Sequence, residues 1–282
     1  MIRKANAGDI GAIAEFLDRH VESSMFLLGN LEAHGMDNVS HPNGTAFFLR
    51  ETGDGITGVF GCTNGGMLIC QLPGLNTTEA QTYAHLLQGY TLRGMTGDAV
   101  QAGLILDALR IPPEAWALNR VEPLYRLALP ADLPEAETRA ATPADQPLLT
   151  DWFRAYLLET GTAGPDTADA MAEARAGAAI GSADLRLLIE NGAPVAMAGI
   201  NARAGTAVQL GAVFVPEDLR GQGRGGRATA GLLGDAAGDA TVAILFAASP
   251  AAASVYERLG FERVGDYRVA LLRTPRMLGP LT

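Results

Sequence analysis

A chain of 282 residues with 48% hydrophobic and 18% charged residues holds enough apolar material for two packed cores and is not a disordered tail. The net charge of −10 excludes nucleic acid as a main partner, because phosphate contacts need clustered Lys and Arg and Lys4 is the only lysine. No stretch of the roughly 20 predominantly apolar residues of a membrane helix occurs, and no apolar signal core follows Met1.

Cys62 and Cys70 lack metal or redox spacing and sit in strand-like runs, so they read as buried small hydrophobes. A soluble, reduced, cytoplasmic protein with no metal, membrane or nucleic-acid partner is expected.

An entering strand near Arg3 leads through a polar turn into an amphipathic helix capped near Asp9. Residues 45–50, 56–63 and 66–72 are β-branched or aromatic runs separated by Gly-rich turns, which predicts an antiparallel meander. Residues 124–129 read as the last strand of a first domain, 1–130. Residues 129–137, with Pro130, Pro134 and several acids, read as a linker.

A second domain, 137–282, then restarts the pattern. Arg3, Ala5 and Asp9 recur with the same spacing as Arg139, Ala141 and Asp145, and Ile13, Phe16 and Leu17 align with Leu149, Trp152 and Phe153. Residues 184–189 and 194–200 flank Glu190-Asn191-Gly192, a hairpin signature, because Asn-Gly supplies positive φ cheaply. A third strand follows over residues 207–215.

That strand runs into Pro216-Glu217-Asp218-Leu219-Arg220-Gly221-Gln222-Gly223-Arg224-Gly225-Gly226-Arg227, and an apolar helix continues from Ala228. Such a join aims backbone N–H groups and the positive end of a helix at one spot, which suits a phosphate. Gly223 and Gly225 remove Cβ atoms that would block a pyrophosphate, and Arg220 and Arg224 add positive charge. Gly221, Gly223 and Gly226 also match the dinucleotide fingerprint. That reading needs an acid after the next strand, where Ala247-Ala248-Ser249 stands instead. A nucleotide P-loop would need Gly-Lys-Ser/Thr, which is absent. A Gly-rich turn that binds nothing is the plainer alternative.

Residues 249–261 read as a compact helix with Ser249 as N-cap, Pro250 in the first turn and Gly260 as its stop; Tyr256 lies in the second turn. Phe261 opens a final strand running towards Leu272.

Together the two segments resemble the GNAT superfamily of N-acetyltransferases. Arg220, Gly223 and Gly225 match its Arg-x-x-Gly-x-Gly/Ala motif. Ala252, Tyr256, Gly260 and Phe261 are similar to its Asn-x-x-Ala-x-x-x-Tyr-x-x-x-Gly-Phe segment. The resemblance implies an α+β fold of two tandem GNAT-like domains, each a mixed, mostly antiparallel sheet flanked by helices. The first reads as a degenerate copy that binds no cofactor, because its presumed loop region, 90–106, carries only Arg93 and Gly97 of the motif.

The resemblance further implies acetyl-coenzyme A as co-substrate, with its pantetheine arm between two splayed strands. Backbone groups of Val213 and Val215 would pair with that arm, and one such N–H would hold the thioester oxygen. Gly221, Gln222, Gly223, Arg224, Gly225 and Gly226, with Arg220, would hold the pyrophosphate. Ser249 stands where the family has Asn. An amine of a small molecule or peptide would attack the thioester, and Tyr256 would serve the departing thiolate.

The strand over residues 207–215 lacks the carboxylate many relatives use as base; Gln209 is its only polar side chain. Water or Glu159 is the alternative base, while Glu217 and Asp218 read as solvated turn residues. His20, His34, His41 and His85 all lie in the first domain. A non-catalytic acyl-coenzyme A sensor and a nicotinamide-binding oxidoreductase stay open as other functions, and a homodimer as one oligomeric state.

Overall fold

The computed structural model describes residues 1–238 and 240–279. In chain order it contains β1 (Ile2–Lys4), α1 (Ile10–Asp18), α2 (Val21–His34), β2 (Thr45–Thr52), β3 (Gly55–Thr63), β4 (Met67–Gln71), α3 (Thr77–Leu86), β5 (Thr91–Asp98), α4 (Ala99–Leu109) and β6 (Trp116–Ala128). The same order then repeats as β7 (Thr138–Arg139), α5 (Gln146–Glu159), α6 (Pro165–Ala179), β8 (Leu185–Glu190), β9 (Ala193–Ala204), β10 (Ala207–Phe214), α7 (Arg224–Ala236), β11 (Val242–Phe246), α8 (Pro250–Arg258) and β12 (Glu262–Met277). Helices α2, α3, α4 and α6 were not foreseen in the sequence.

Two units result, Met1–Glu122 with Gly265–Thr282, and Pro123–Val264. The division at 1–130 and 137–282 therefore differs from the folded one. Residues 124–128 do form a strand, but they pair antiparallel with β11 of the second unit, from Leu124↔Phe246 to Ala128↔Val242. The first unit instead takes its last strand from β12, which pairs antiparallel with β5, as in Tyr267↔Asp98 and Ala270↔Met95. Each sheet is thus closed by the strand that follows the other repeat. The strand orders are β1-β2-β3-β4-β5-β12 and β7-β8-β9-β10-β11-β6. In each, every neighbouring pair is antiparallel except β4–β5 and β10–β11. The expected α+β class with two mixed, mostly antiparallel sheets is the observed one.

The repeated Arg and Asp form the same device twice. Arg3 donates to both oxygens of Asp9 at 2.7 Å, and the Asn6 N–H donates to Asp9 at 2.8 Å. Arg139 donates to Asp145 at 2.7 and 2.8 Å, and the Thr142 N–H and hydroxyl each donate to it at 2.8 Å. The bond from the Thr142 and Asn6 backbones closes the turn that starts each first helix, while the arginine ties that turn to the edge strand.

These bonds to the charged form hold Asp9 down at about 2, against an ordinary 3.8, chiefly through Arg3; Asp145 is lowered further, chiefly through Arg139. A depressed carboxyl stabilises the fold fully above its unfolded value. That stability is lost as pH falls from near 4 through about 2. Asp145→Ala should lower the unfolding free energy at neutral pH by about 2–3 kcal/mol, since it strands a partly buried guanidinium and two donors. Urea unfolding at pH 7 and pH 3 checks both statements: the difference between wild type and variant should shrink at the lower pH.

The hairpin between β8 and β9 turns at Asn191 and Gly192, both with positive φ (52° and 77°), as the Asn-Gly pair requires. In the first unit, the core packs Phe60, Tyr83, Met95 and Ile105 between the sheet, α3 and α4. Cys62 and Cys70 lie among these side chains. Burial pushes the Cys62 thiol up to about 12 and raises Cys70 as well, so both stay unreactive thiols.

The second unit has a core on each face. Val208, Leu210, Leu232, Leu245 and Tyr256 share one; Trp152, Phe153, Ala172, Ala212 and Phe214 share the other. Strict alternation would put 208, 210, 212 and 214 on one face. Register shifts in β10 between Gln209 and Leu210 and between Gly211 and Phe214, with Ala212 at φ +50°, move the last two across.

Candidate functional site

β10 and β11 run parallel but are in register only over Ala207↔Val242, Val208↔Ala243 and Gln209↔Ile244. Beyond that point β10 continues to Phe214 and β11 to Phe246 without pairing to each other among the described residues. The two strands therefore part, leaving one backbone edge of each without its neighbour. The irregular part of β10 lies in this stretch.

The strand then feeds the Gly-rich loop. Gly221 and Gly223 have φ +82° and +70° with nothing within 4 Å of where a Cβ would stand. Their glycines are demanded by backbone conformation rather than by crowding. Gly223 is the N-cap of α7, and no side chain caps that end. The first bond of the helix is Arg227 N–H to the Gly223 carbonyl at 3.1 Å. Helix geometry thus leaves the N–H groups of Arg224, Gly225 and Gly226 pointing outward from the helix start. Gly225 sits against the side chains of Val213 and Val215; a Cβ there would meet them at 3.7 and 3.6 Å, ordinary contacts.

Each of the loop arginines is paired with a carboxylate of the chain. Arg220 donates to both oxygens of Glu159 at 2.8 and 2.9 Å and through Nε to the Val215 carbonyl at 2.9 Å. Arg224 donates to Glu190 at 2.8 and 2.6 Å and to the Leu219 carbonyl at 2.7 Å, and Arg227 also binds Glu190. With their charge already paired, the backbone amides of the helix start are the candidate anion-binding element. The pairing also engages both carboxylate oxygens of Glu159.

Tyr256 projects from α8 into the core that contains Val208 and Leu210, with Val213 and Val215 packed against that core. Its ring makes an edge contact with Phe261 at 5.9 Å. The αL residue Gly260 (φ +91°) folds the chain back so that the Phe261 N–H donates to the Tyr256 carbonyl at 3.1 Å. Burial, and then the nearby Tyr156, raise the Tyr256 phenol above its usual 10.0, so it is protonated throughout the neutral range. Val255, one residue earlier, lies 3.1 Å from the Cβ position of Gly226, which brings the start of α7 against α8. Ser249 is exposed and acts as a helix cap, accepting the Ala252 N–H at 3.2 Å.

Tyr156 was not anticipated. The bulge amide of Ala212 donates to its hydroxyl at 3.3 Å, and its electrostatic effect on Tyr256 places the two phenols near each other. It belongs to no motif; its only signal is its place on the inner face of α5, one turn from Trp152. Gln209 stands where β10 and β11 part. It is 3% exposed, and its Oε1 has no hydrogen-bond partner while its Nε2 donates to the Leu210 carbonyl at 2.5 Å.

The first unit repeats the elements but not this geometry. Its strand–helix loop lies at residues 72–76, between β4 and α3, not within residues 90–106. Arg93 to Gly97 belong to β5, where Gly94 and Gly97 permit close contact: a Cβ would meet the Ala270 carbonyl at 2.5 Å and Cys70 Sγ at 2.8 Å. β4 and β5 stay paired from Met67↔Gly94 to Cys70↔Gly97, next to the ends of both strands. Gln101 Oε1 then accepts the Leu72 N–H at 2.5 Å. The α3 end is closed by a capping box of Asn76 and Glu79, with Arg50 donating to Glu79 at 3.0 Å. A carboxylate of the chain already sits where an anion would.

Parted parallel strands followed by an uncapped helix start are the arrangement that the sequence resemblance implied. The family model described as an acetyltransferase (GNAT) domain matches residues 163–270. Residues 163–270 thus resemble a GNAT acetyltransferase domain. Solved structures extend the GNAT-like fold over nearly the whole chain. A GNAT-family acetyltransferase from Colwellia psychrerythraea is 15% identical, with 96% of this chain and 99% of that one covered and a TM-score of 0.52. A GCN5-related N-acetyltransferase from Sphaerobacter thermophilus is 15% identical, covering 99% and 96%, with a TM-score of 0.55. A Drosophila protein is 13% identical, covering 96% and 98%, at 0.59. No protein among the curated ones matches the sequence significantly.

Among the described residues no group of His, Cys, Asp and Glu could hold a metal, and no helix is long and apolar enough to cross a membrane. The four histidines all lie in the first unit.

Proposed function

We propose that the GNAT domain moves an acetyl group from acetyl-coenzyme A to an amine by direct attack, and that the first unit binds no coenzyme. The observation that carries this reading is the loss of pairing between β10 and β11 beyond Gln209, leading straight to the open amides of Arg224, Gly225 and Gly226. The cleft would take the pantetheine arm along the free edge at Val213 and Val215, and the helix start would take the diphosphate. One backbone N–H of that edge, at Val213 or Val215, would then hold the thioester oxygen.

The amine nitrogen attacks the thioester carbon and the carbon–sulfur bond breaks. The sulfur takes a hydrogen bond, then a proton, from Tyr256, and the proton shed by the amine balances the count. A phenol raised above 10.0 cannot fully protonate a thiolate near 8.5 on its own. Its role is therefore a hydrogen bond that strengthens as charge builds on sulfur, with transfer completed as the amine gives up its proton. β10 offers no carboxylate for that proton, so the reading favours an amine that arrives neutral or passes its proton to water.

Acetyl-coenzyme A at a hundred times its dissociation constant should stabilise the protein by about 2.7 kcal/mol, and an amine panel should release free thiol. Protection without thiol release across the panel would turn the reading into a sensor; protection by NAD but not by coenzyme A would end it.

A further inference from the structure

The loop arginines are held by two carboxylates of different character. Glu190 binds both Arg224 and Arg227 and is only 20% exposed, with Arg224 at 11%, so this cluster is part of the packing between β8 and α7. Arg220 and Glu159 are 44% and 50% exposed. Exposed pairs contribute little to stability and exchange readily. Glu159 is moreover the last residue of α5, where a carboxylate meets the negative end of the helix and depends on a cation to be tolerated. Arg220 is fixed to its own loop by contacts that do not involve Glu159. Its Nε bonds the Val215 carbonyl, and its guanidinium lies 5.9 Å from the Phe214 ring centre. The guanidinium edge that faces Glu159 is therefore available to another anion without the loop refolding.

We propose that Glu159 is an internal competitor for the diphosphate. It holds Arg220 while the loop is empty; when a diphosphate arrives at the start of α7, Arg220 turns to it and the carboxylate is released. The proposal rests on the reading of the loop as a coenzyme A site.

Calorimetric titration of wild type, Glu159→Gln, Arg220→Gln and the double variant with coenzyme A, and with pantetheine, which lacks the diphosphate, tests it. Glu159→Gln should bind coenzyme A about two- to fivefold more tightly, the scale of an exposed ion pair, with pantetheine unchanged. The gain should vanish in the Arg220→Gln background, because the competition acts through that arginine; Arg220→Lys, which cannot form the fork, replaces it should Arg220→Gln not fold. Unchanged or weaker binding by Glu159→Gln overturns the proposal. So does an equal gain with Arg220 removed, which would mean simple charge repulsion. A wild-type protein that binds no coenzyme A removes the site reading as well, so the two failures are distinct.

Discussion

Tyr256→Phe lowers turnover by about 10- to 1000-fold while leaving coenzyme A affinity within about twofold. The ring is 8% exposed and packs in a core shared with Leu210, Leu245 and Phe261, so removing one oxygen leaves the packing in place. What is lost is a donor kept protonated by burial beside the point where β10 and β11 part. The effect should fall on kcat, because the hydroxyl serves a charge that exists only as the carbon–sulfur bond breaks. Steady-state thiol release with an active amine, together with calorimetry of coenzyme A binding, separates the two quantities. Unchanged kcat removes Tyr256 from the chemistry. A matching loss of affinity would make it a binding residue instead. The neighbouring Tyr156 gives an internal comparison, since its hydroxyl accepts from the Ala212 amide.

Gly223→Val weakens coenzyme A binding by at least about tenfold and lowers stability by about 1–2 kcal/mol. Gly223 stands at φ +70° as the N-cap of α7, a conformation a β-branched residue resists. Relief of that strain rotates the very amides that would hold the diphosphate. Gly225→Ala is the control. Its Cβ would meet Val213 and Val215 at ordinary distances, so stability should hold within about 0.5 kcal/mol. Any loss of coenzyme A affinity in Gly225→Ala then reports the ligand's close approach alone. Normal coenzyme A binding by a folded Gly223→Val protein would show that the start of α7 is not the anion site.

Much of this was legible in one dimension because it is local. The Arg3–Asp9 and Arg139–Asp145 pairs close over six residues, so their recurrence announced a repeated strand–turn–helix unit before any contact was known. Asn191-Gly192, the Ser249 cap and the Gly260 stop are similarly written in residue type, since each answers a demand of φ or of an unpaired N–H at its own position. The loop after β10 was identified for the same reason, as was the helix bearing Tyr256.

Other features depended on partners far away in the chain. Residues 124–129 have the pattern of a strand, and residues 124–128 pair with β11 instead of closing the first sheet; alternation of side chains carries no label for the neighbour. Arg93 and Gly97 match motif letters, yet they lie within a strand whose glycines admit the Ala270 carbonyl and Cys70. Charge counting assigned Arg220 and Arg224 to a ligand. Folding brought Glu159 and Glu190 to them first, from α5 and β8.

The amino-acid sequence by itself determined the helices and turns around the loop, the duplicated unit and the identity of the glycines, because backbone geometry and capping act within a few residues. Only the tertiary structure decided which strand completes each sheet, that β10 and β11 part where β4 and β5 stay joined, and that Tyr156 meets the bulge at Ala212. Those outcomes are set by hydrogen-bond register and side-chain packing between segments distant in sequence, whose geometry exists only once the chain has closed on itself.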